Sequence, residues 1–301
     1  MIKIDIISGF LGAGKTTFAN MLLRHYMDIG LRPVYIVNEF GQTGLDAEII
    51  KADGFEAVEL RGGCICCTLK NDIAGAILEV IDTFSPTNII FEPSGIFIFD
   101  NFFEILKQPD IQARCELGCV LTVVDSVNFS FSKTIYGSFI YNQIQTAPVI
   151  LLSKIEKAEH DIDETICDIK NISPEALVIS KPWDNWGTAD FEDLQSSARR
   201  APTNCHAHAH SRLSSVTARL TRSFTESEFK RLIACCTSGE FGALCRVKGI
   251  LKTENHRVLL NIAMQDVSIA EWRGVAEPTL TFIGQTINKK EISRVLNTYD
   301  A

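Results

Sequence analysis

From Ile2 to Ser8 the chain alternates apolar, β-branched positions with Lys3 and Asp5, as a buried strand does, and a glycine-rich turn follows at once. Residues 16–27 read as a helix and residues 33–37 as a second short strand, with a further strand candidate at residues 57–60. Ile73, Ile77, Val80, Ile81 and Phe84 recur at spacings of three and four, which predicts a helix laid on a sheet. Further strand candidates are residues 88–91, 119–124, 149–152 and 177–179, with helical or loop segments between them. Strand–helix alternation of this kind predicts an α/β domain, a mostly parallel sheet flanked by helices, over residues 1–187.

The pattern changes past Trp183-Asp-Asn-Trp-Gly187. Residues 188–211 are polar and read as a linker that ends in Cys205-His206-Ala-His208-Ala-His210. Val216, Ala218 and Leu220 then alternate as a half-buried strand, and Thr225-x-x-Glu228 is a capping box opening a helix that ends near Gly239. Strands at residues 244–251, 258–262 and 279–283 and a helix after Asn288 make residues 212–301 a small C-terminal α+β domain.

Charge and composition narrow the function classes. Lys+Arg 29 against Asp+Glu 37 leaves a net charge of −8, which argues against nucleic-acid binding as the main task and against anionic membrane surfaces. The N-terminus lacks the features of a signal peptide, and no apolar run reaches the roughly 18 residues of a spanning helix. Of 10 cysteines, Cys64, Cys66 and Cys67 crowd into one short segment, too close for separate bridges. A cytoplasmic protein with reduced thiols is expected.

Gly9-Phe-Leu-Gly12-Ala13-Gly14-Lys15-Thr16 fits G-x-x-x-x-G-K-[ST] between a strand and a helix, the context a phosphate loop requires. Its glycines, with Ala13 and Thr17, let backbone N–H groups cradle a β-phosphate at a helix N-terminus. Lys15 then reaches the β/γ oxygens and the Thr16 hydroxyl ligates Mg²⁺. The strand ending at Glu92 supplies the carboxylate for Mg²⁺ and its water, and Gly95 is free to approach the γ-phosphate. Asp125, ending the next strand, is a candidate for a supporting role. Cys64, Cys66 and Cys67 follow Gly62-Gly63 and precede a helix; three thiolates there can converge on Zn²⁺ or Co²⁺, with a fourth position left to water or another side chain. Cys115, Cys119 and Cys236 are expected in the core, Cys236 on one helical face with Phe229, Leu232 and Ile233.

With both motifs present, the chain resembles the CobW-like P-loop GTPases, a family of metallochaperones. The resemblance runs through Gly9–Thr17, Asn38-Glu-Phe-Gly-Gln-Thr-Gly-Leu-Asp46, Gly63-Cys-Ile-Cys-Cys67 and Glu92-Pro-Ser-Gly95, and on to Ser214–Leu220 and Arg246–Ile250. It implies a GTP-binding domain with a switch segment at 38–46, a metal site at Cys64, Cys66 and Cys67, and a C-terminal domain that meets partners. The guanine-reading motif of the family ends in Lys-x-Asp; here it reads Ser153-Lys154-Ile155-Glu156, so Lys154 covers the base and Glu156 offers a carboxylate one methylene longer. GTP is favoured over ATP, and Ser180-Lys181 is a candidate second base-side loop. Val37 and Gln42 stand where some or many relatives carry acidic residues, which leaves metal preference open.

The function expected is therefore GTP hydrolysis coupled to delivery of zinc or cobalt to a client metalloenzyme or corrinoid-pathway protein. Lys15 and Mg²⁺ neutralise developing charge, Glu39 or Glu92 positions water, and a nucleotide-dependent homodimer is compatible with this. A nucleotide-gated metal buffer or sensor and a P-loop small-molecule kinase are the alternatives; the thiol cluster disfavours the kinase.

Overall fold

A computed structural model of the chain describes residues 1–38, 45–60, 69–96, 99–158, 162–198, 213–264 and 266–296. The chain falls into two compact units, one around a parallel sheet and one around an antiparallel sheet. From the N-terminus it runs β1 (Ile2–Gly9), α1 (Lys15–Asp28), β2 (Pro33–Val37), α2 (Leu45–Ala52), β3 (Ala57–Glu59), α3 (Leu69–Phe84), β4 (Asn88–Glu92), α4 (Phe99–Leu106) and α5 (Pro109–Gln112). There follow β5 (Cys115–Asp125), α6 (Phe129–Thr146), β6 (Val149–Ser153), α7 (Ile162–Ile172), β7 (Leu177–Ile179) and α8 (Thr188–Ser197).

Among the described residues, seven strands pair in the order β3-β2-β4-β1-β5-β6-β7, every pairing parallel. β2, β4 and β6 are buried along their whole length, which is why their sequences are nearly all apolar. The chain builds one side of β1 with β2, β3 and β4, then crosses to the other side to begin β5. Strand order reverses at β1, and in open α/β sheets ligands bind outside the carboxyl ends of strands at such a point. The ends that meet there are Gly9, Glu92, Asp125 and Ser153.

Asp5, in the middle of β1, is 1% exposed and accepts hydrogen bonds from the Tyr26 hydroxyl (2.8 Å) and the Cys119 N–H (2.7 Å). Burial pushes its carboxyl up from the usual range, against those hydrogen bonds. A side chain on Gly118 would put Cβ 2.1 Å from Asp5 Oδ1, so this junction of β1 and β5 requires glycine. β5 begins at Cys115, four residues before the expected start at residue 119, with Cys119 inside it; both cysteines are buried, as expected.

Residues 188–197, expected as the start of a polar linker, instead form α8. Its apolar face is Phe191 and Leu194, and the Phe191 ring stacks on His25 (4.5 Å between centroids) and meets Trp186 (5.1 Å). Two large apolar side chains in ten residues are too few for periodicity to reveal, yet enough to seat a helix when aromatic partners wait. Asp190 closes the first turn by accepting from the Gly187 N–H (2.8 Å); that bond, then the Lys181 ammonium, hold its carboxyl below the usual range. The remainder of the expected linker, with His206, His208 and His210, lies outside the described residues.

The second unit contains β8 (Ser214–Arg219), β9 (Ser223–Phe224), α9 (Glu226–Ser238), β10 (Gly242–Thr253), β11 (Arg257–Ala263), β12 (Asp266–Glu271), β13 (Thr279–Ile287) and α10 (Lys289–Leu296). The antiparallel order is β12-β11-β10-β13-β8, and short β9 pairs parallel with β10. Leu232, Cys235 and Cys236 of α9 and Ile292 and Leu296 of α10 pack with Val247, Leu260 and Phe282 of the sheet in one core. Burial raises the Cys236 thiol to about 12, with the adjacent Cys235 adding to it, so this sulfur is a protonated core group and a poor metal ligand. Edge strand β12 escaped the sequence reading because its residues are partly or fully exposed and show no alternation. Among the described residues no helix is long and apolar enough to cross a membrane.

The capping box forms as expected. The Thr225 N–H donates to Glu228 Oε2 at 2.8 Å, and Thr225 Oγ1 accepts from the Glu228 N–H at 3.3 Å. The Thr225 N–H, then the Arg222 guanidinium, lower the Glu228 carboxyl from 4.5 to about 2. A depressed folded-state value stabilises fully above the unfolded value and is lost on acidification. Glu228→Ala should therefore lower stability above pH 4.5 and flatten its fall between pH 4.5 and about 2, measured by urea melts of the full chain.

Candidate nucleotide and metal site

β1 ends at Gly9, whose φ of 146° belongs to glycine and whose Cβ would fall 2.4 Å from the Val123 carbonyl oxygen of β5. The loop turns on Gly12 (φ 76°) and Gly14 (φ 101°), both left-handed, and Gly14 caps α1. Strand, left-handed glycines and helix N-terminus together present the first-turn N–H groups of α1 to an anion. Ala13 belongs to the same turn, its N–H donating to the Phe10 carbonyl at 3.1 Å. Lys15, Thr16 and Thr17 are the first three residues of α1.

The charged centre joins α1 to β4. Lys15 is 4% exposed; its Nζ donates to the Phe10 carbonyl at 3.3 Å and stands 3.9 Å from Glu92 Oε1. Glu92, also 4% exposed, accepts from the Thr16 hydroxyl at Oε1 (3.2 Å) and from the Tyr35 hydroxyl at Oε2 (2.5 Å). A buried carboxylate needs such compensation, because removal from water is costly unless charge and hydrogen bonds are supplied. The oxygen donors Thr16 and Glu92, beside a glycine cradle, match the hard, oxygen-preferring chemistry of Mg²⁺ with a nucleotide.

Gly95, in the loop after β4, lies against the phosphate loop. A Cβ there would sit 2.5 Å from the Leu11 backbone nitrogen, so the missing side chain lets the loop after β4 lie against the phosphate loop. The Gly95 carbonyl accepts from Gln143 Nε2 of α6 at 3.0 Å.

On the other flank, Ser153 ends β6 and its hydroxyl donates to the Ala13 carbonyl at 2.6 Å, tying β6 to the phosphate loop. Lys154 is left-handed (φ 56°), and its Nζ donates to Asp125 Oδ2 at 2.8 Å. Asp125 Oδ1 accepts from the Val127 and Asn128 N–H groups (3.0 and 3.3 Å), so this carboxylate serves Lys154 and the turn into α6. A cavity of about 130 Å³ opens beside it, with apolar lining from Leu152, Ile155, Pro182 and Trp183 and charge from Lys154, Glu156 and Asp184. Trp183 also packs on the phosphate loop: a Cβ on Gly14 would meet its ring at 3.3 Å, and the ring lies 5.3 Å from that of Phe18.

The structure thus brings Gly9, Gly12, Ala13, Gly14, Lys15, Thr16 and Glu92 to one crevice and Lys154 with Glu156 to the adjoining cavity. Glu39, Gln42 and the thiols Cys64, Cys66 and Cys67 lie outside the described residues. Among the described residues no group of three or more His, Cys, Asp or Glu side chains is placed to hold a metal ion. Sequence reasoning missed Tyr35 and Trp183. The one available signal for Tyr35 was a hydroxyl in the otherwise aliphatic strand Pro33-Val-Tyr-Ile-Val37, because a buried phenol requires a partner. Trp183 sits where the pattern was read as leaving the domain, and no local signal tied it to Gly14.

The model of the CobW/HypB/UreG nucleotide-binding domain matches residues 3–180, and that of the cobalamin synthesis protein cobW C-terminal domain matches residues 213–299. The chain is similar to the zinc chaperone CobW of a Sinorhizobium species, 38% identical over 132 residues, which are 42% of this chain and 37% of that protein. It is also similar to the zinc chaperone YjiA of Escherichia coli K12, 29% identical over 318 residues, covering 97% of this chain and 96% of the relative. The match thus spans 37% and 36% of the length of two CobW relatives. A crystal structure of Zn(II)-bound YjiA GTPase from E. coli aligns over 98% of both chains with a TM-score of 0.48 and 20% identity. With one model matched across the parallel-sheet unit and the other across the antiparallel one, this chain belongs to the CobW/HypB/UreG family.

Proposed function

We propose that the protein is a GTP-hydrolysing metallochaperone that carries zinc or cobalt on Cys64, Cys66 and Cys67 and releases it to a client metalloprotein under nucleotide control. The observation that carries this reading is the buried Lys15–Glu92–Thr16 centre at the carboxyl ends of β1 and β4. The names of the CobW and YjiA relatives favour zinc as cargo. Three thiols in one short segment supply soft ligands for it, and a cytoplasmic location keeps them reduced.

Each residue has a part in that chemistry. Lys15 exchanges the Phe10 carbonyl for β- and γ-phosphate oxygens and neutralises charge as the bond to the leaving oxygen breaks. Gly9, Gly12, Ala13 and Gly14 direct backbone N–H groups at the phosphates, and the first turn of α1, with Thr16 and Thr17, adds its dipole. Mg²⁺ entering with the nucleotide supplies charge neutralisation and a template for in-line attack; Thr16 and Glu92 would hold it. Glu39 or Glu92 orients the attacking water. Lys154 covers the base while Glu156 accepts from its N–H groups, and Gly95 keeps the loop after Glu92 against the phosphate loop.

The link to metal is the switch segment 38–46 and the thiol segment, which flank β3 and lie in sequence between the phosphate loop and Glu92. GTP orders the thiols into a metal-binding geometry, hydrolysis relaxes them, and by linkage metal must favour GTP as much as GTP favours metal. A nucleotide-bridged homodimer would place that switch within reach of a client.

Competitive Zn²⁺ and Co²⁺ titrations of the reduced protein should show binding about 5–150-fold tighter with a GTP analogue than with GDP, the usual range of allosteric coupling. A variant combining Cys64→Ser, Cys66→Ser and Cys67→Ser should lose that binding. Affinities equal in every nucleotide state would refute gating. Glu156→Ala removes charge-assisted hydrogen bonds worth about 1.5–3 kcal/mol. GTP affinity should therefore fall roughly 10–100-fold while ATP affinity changes little, measured by competition binding; an equal loss for both nucleotides would remove Glu156 from base recognition.

A further inference from the structure

We propose that Tyr35 is a positioning residue of the nucleotide site, its phenol pinning one oxygen of Glu92 so that the other is held for Thr16 and the cation bound with the nucleotide. This rests on the nucleotide-hydrolysis reading and names a residue outside the motifs that support it.

Tyr35 lies in the middle of β2, its side chain 0% exposed, between apolar neighbours. β2 and β4 run parallel, with Tyr35 beside Ile90 and Val37 beside Glu92. Side chains two positions apart share a face, so Tyr35 stands on the face of Glu92 but one pleat repeat behind it, roughly 6.6 Å along the strand. A phenol spans that gap. A serine or threonine at the same position would fall short, and phenylalanine would fill the space without the donor.

The hydroxyl donates to Glu92 Oε2 at 2.5 Å while the Thr16 hydroxyl donates to Oε1 at 3.2 Å, the oxygen that also faces Lys15 Nζ at 3.9 Å. The last torsion of a glutamate is broad and close to two-fold, so nothing intrinsic decides which way its carboxylate plane faces. Two donors, one on each oxygen, decide it. Thr16, having given its proton to Oε1, keeps its lone pairs for a cation, and Tyr35 prevents the carboxylate from turning away.

The test is Tyr35→Phe in the full chain, with Glu92→Gln and the double variant completing a cycle. The readouts are the Mg²⁺ concentration for half-maximal GTP hydrolysis and the Mg²⁺ dependence of binding a fluorescent GDP. Tyr35→Phe should raise the half-saturating Mg²⁺ about tenfold, the size of one lost charge-assisted hydrogen bond, and leave nucleotide binding in EDTA within about twofold. In the Glu92→Gln background the same change should add little, because residues acting through one network are not additive. A Tyr35→Phe protein with the wild-type Mg²⁺ requirement, or effects that add fully in the double variant, would overturn the role of Tyr35 while leaving the nucleotide reading intact. A wild-type protein that binds no Mg²⁺-nucleotide would overturn both. Circular dichroism of each variant separates these results from loss of fold, and a Tyr35→Phe chain that unfolds would make the hydroxyl a determinant of folding and end the proposal.

Discussion

Glu92 closes the central strand pair of the parallel sheet with its carboxylate almost wholly removed from water, and much of the N-terminal unit can be understood as the surroundings that make this tolerable. Lys15 brings the opposite charge from the first turn of α1, Thr16 a hydroxyl from the same turn, and Tyr35 a second hydroxyl from the neighbouring strand. Each of these groups can reach Glu92 only because β1, β2 and β4 run parallel and end at one level. The parallel order in turn depends on α1 and α3 as crossovers, and on strands apolar enough to be buried on both faces. One buried charge therefore couples topology, the glycine turn and the arrangement of hydroxyls.

The cavity beside Lys154 follows the same logic with weaker forces. Ser153 is tied to the Ala13 carbonyl and Lys154 to Asp125, so the end of β6 is hydrogen-bonded both to the phosphate loop and to the end of β5. Trp183 adds a ring against Gly14 and Phe18, so the cap of α1 is a close-packed turn whose left-handed backbone favours glycine. His25 belongs to the aromatic cluster behind this wall, and burial pushes its imidazole below the usual value, as expected of a ring stacked on Phe191.

Cysteine illustrates how surroundings decide chemistry within one chain. The thiols at Cys115 and Cys236 are buried and pushed up by desolvation, so they serve as small apolar groups, while Cys235, raised first by burial, also donates to the Glu240 carboxylate. The motif Cys64-Ile-Cys66-Cys67 stands apart by its density in sequence and its flanking glycines. That contrast is why the proposed metal site falls on the one set and packing on the other.

Sequence alone determined whatever depends on neighbours a few positions apart. The phosphate loop, the Thr225–Glu228 capping box, the α3 stripe and the strand–helix alternation are all local signals, and each appears in the structure where the pattern put it. Tertiary structure decided the rest. Tyr35 meets Glu92 across 57 positions and Ser153 meets Ala13 across 140, distances over which no periodicity carries information. α8 went unrecognised because two large apolar residues suffice only when Phe18, His25 and Trp186 supply the other half of the packing. β12 went unrecognised because an exposed edge strand is defined by backbone pairing with β11 and not by which side chains it carries. Local chemistry is written in order along the chain, whereas a partner for a buried group exists only once the sheet has brought distant strands to the same edge.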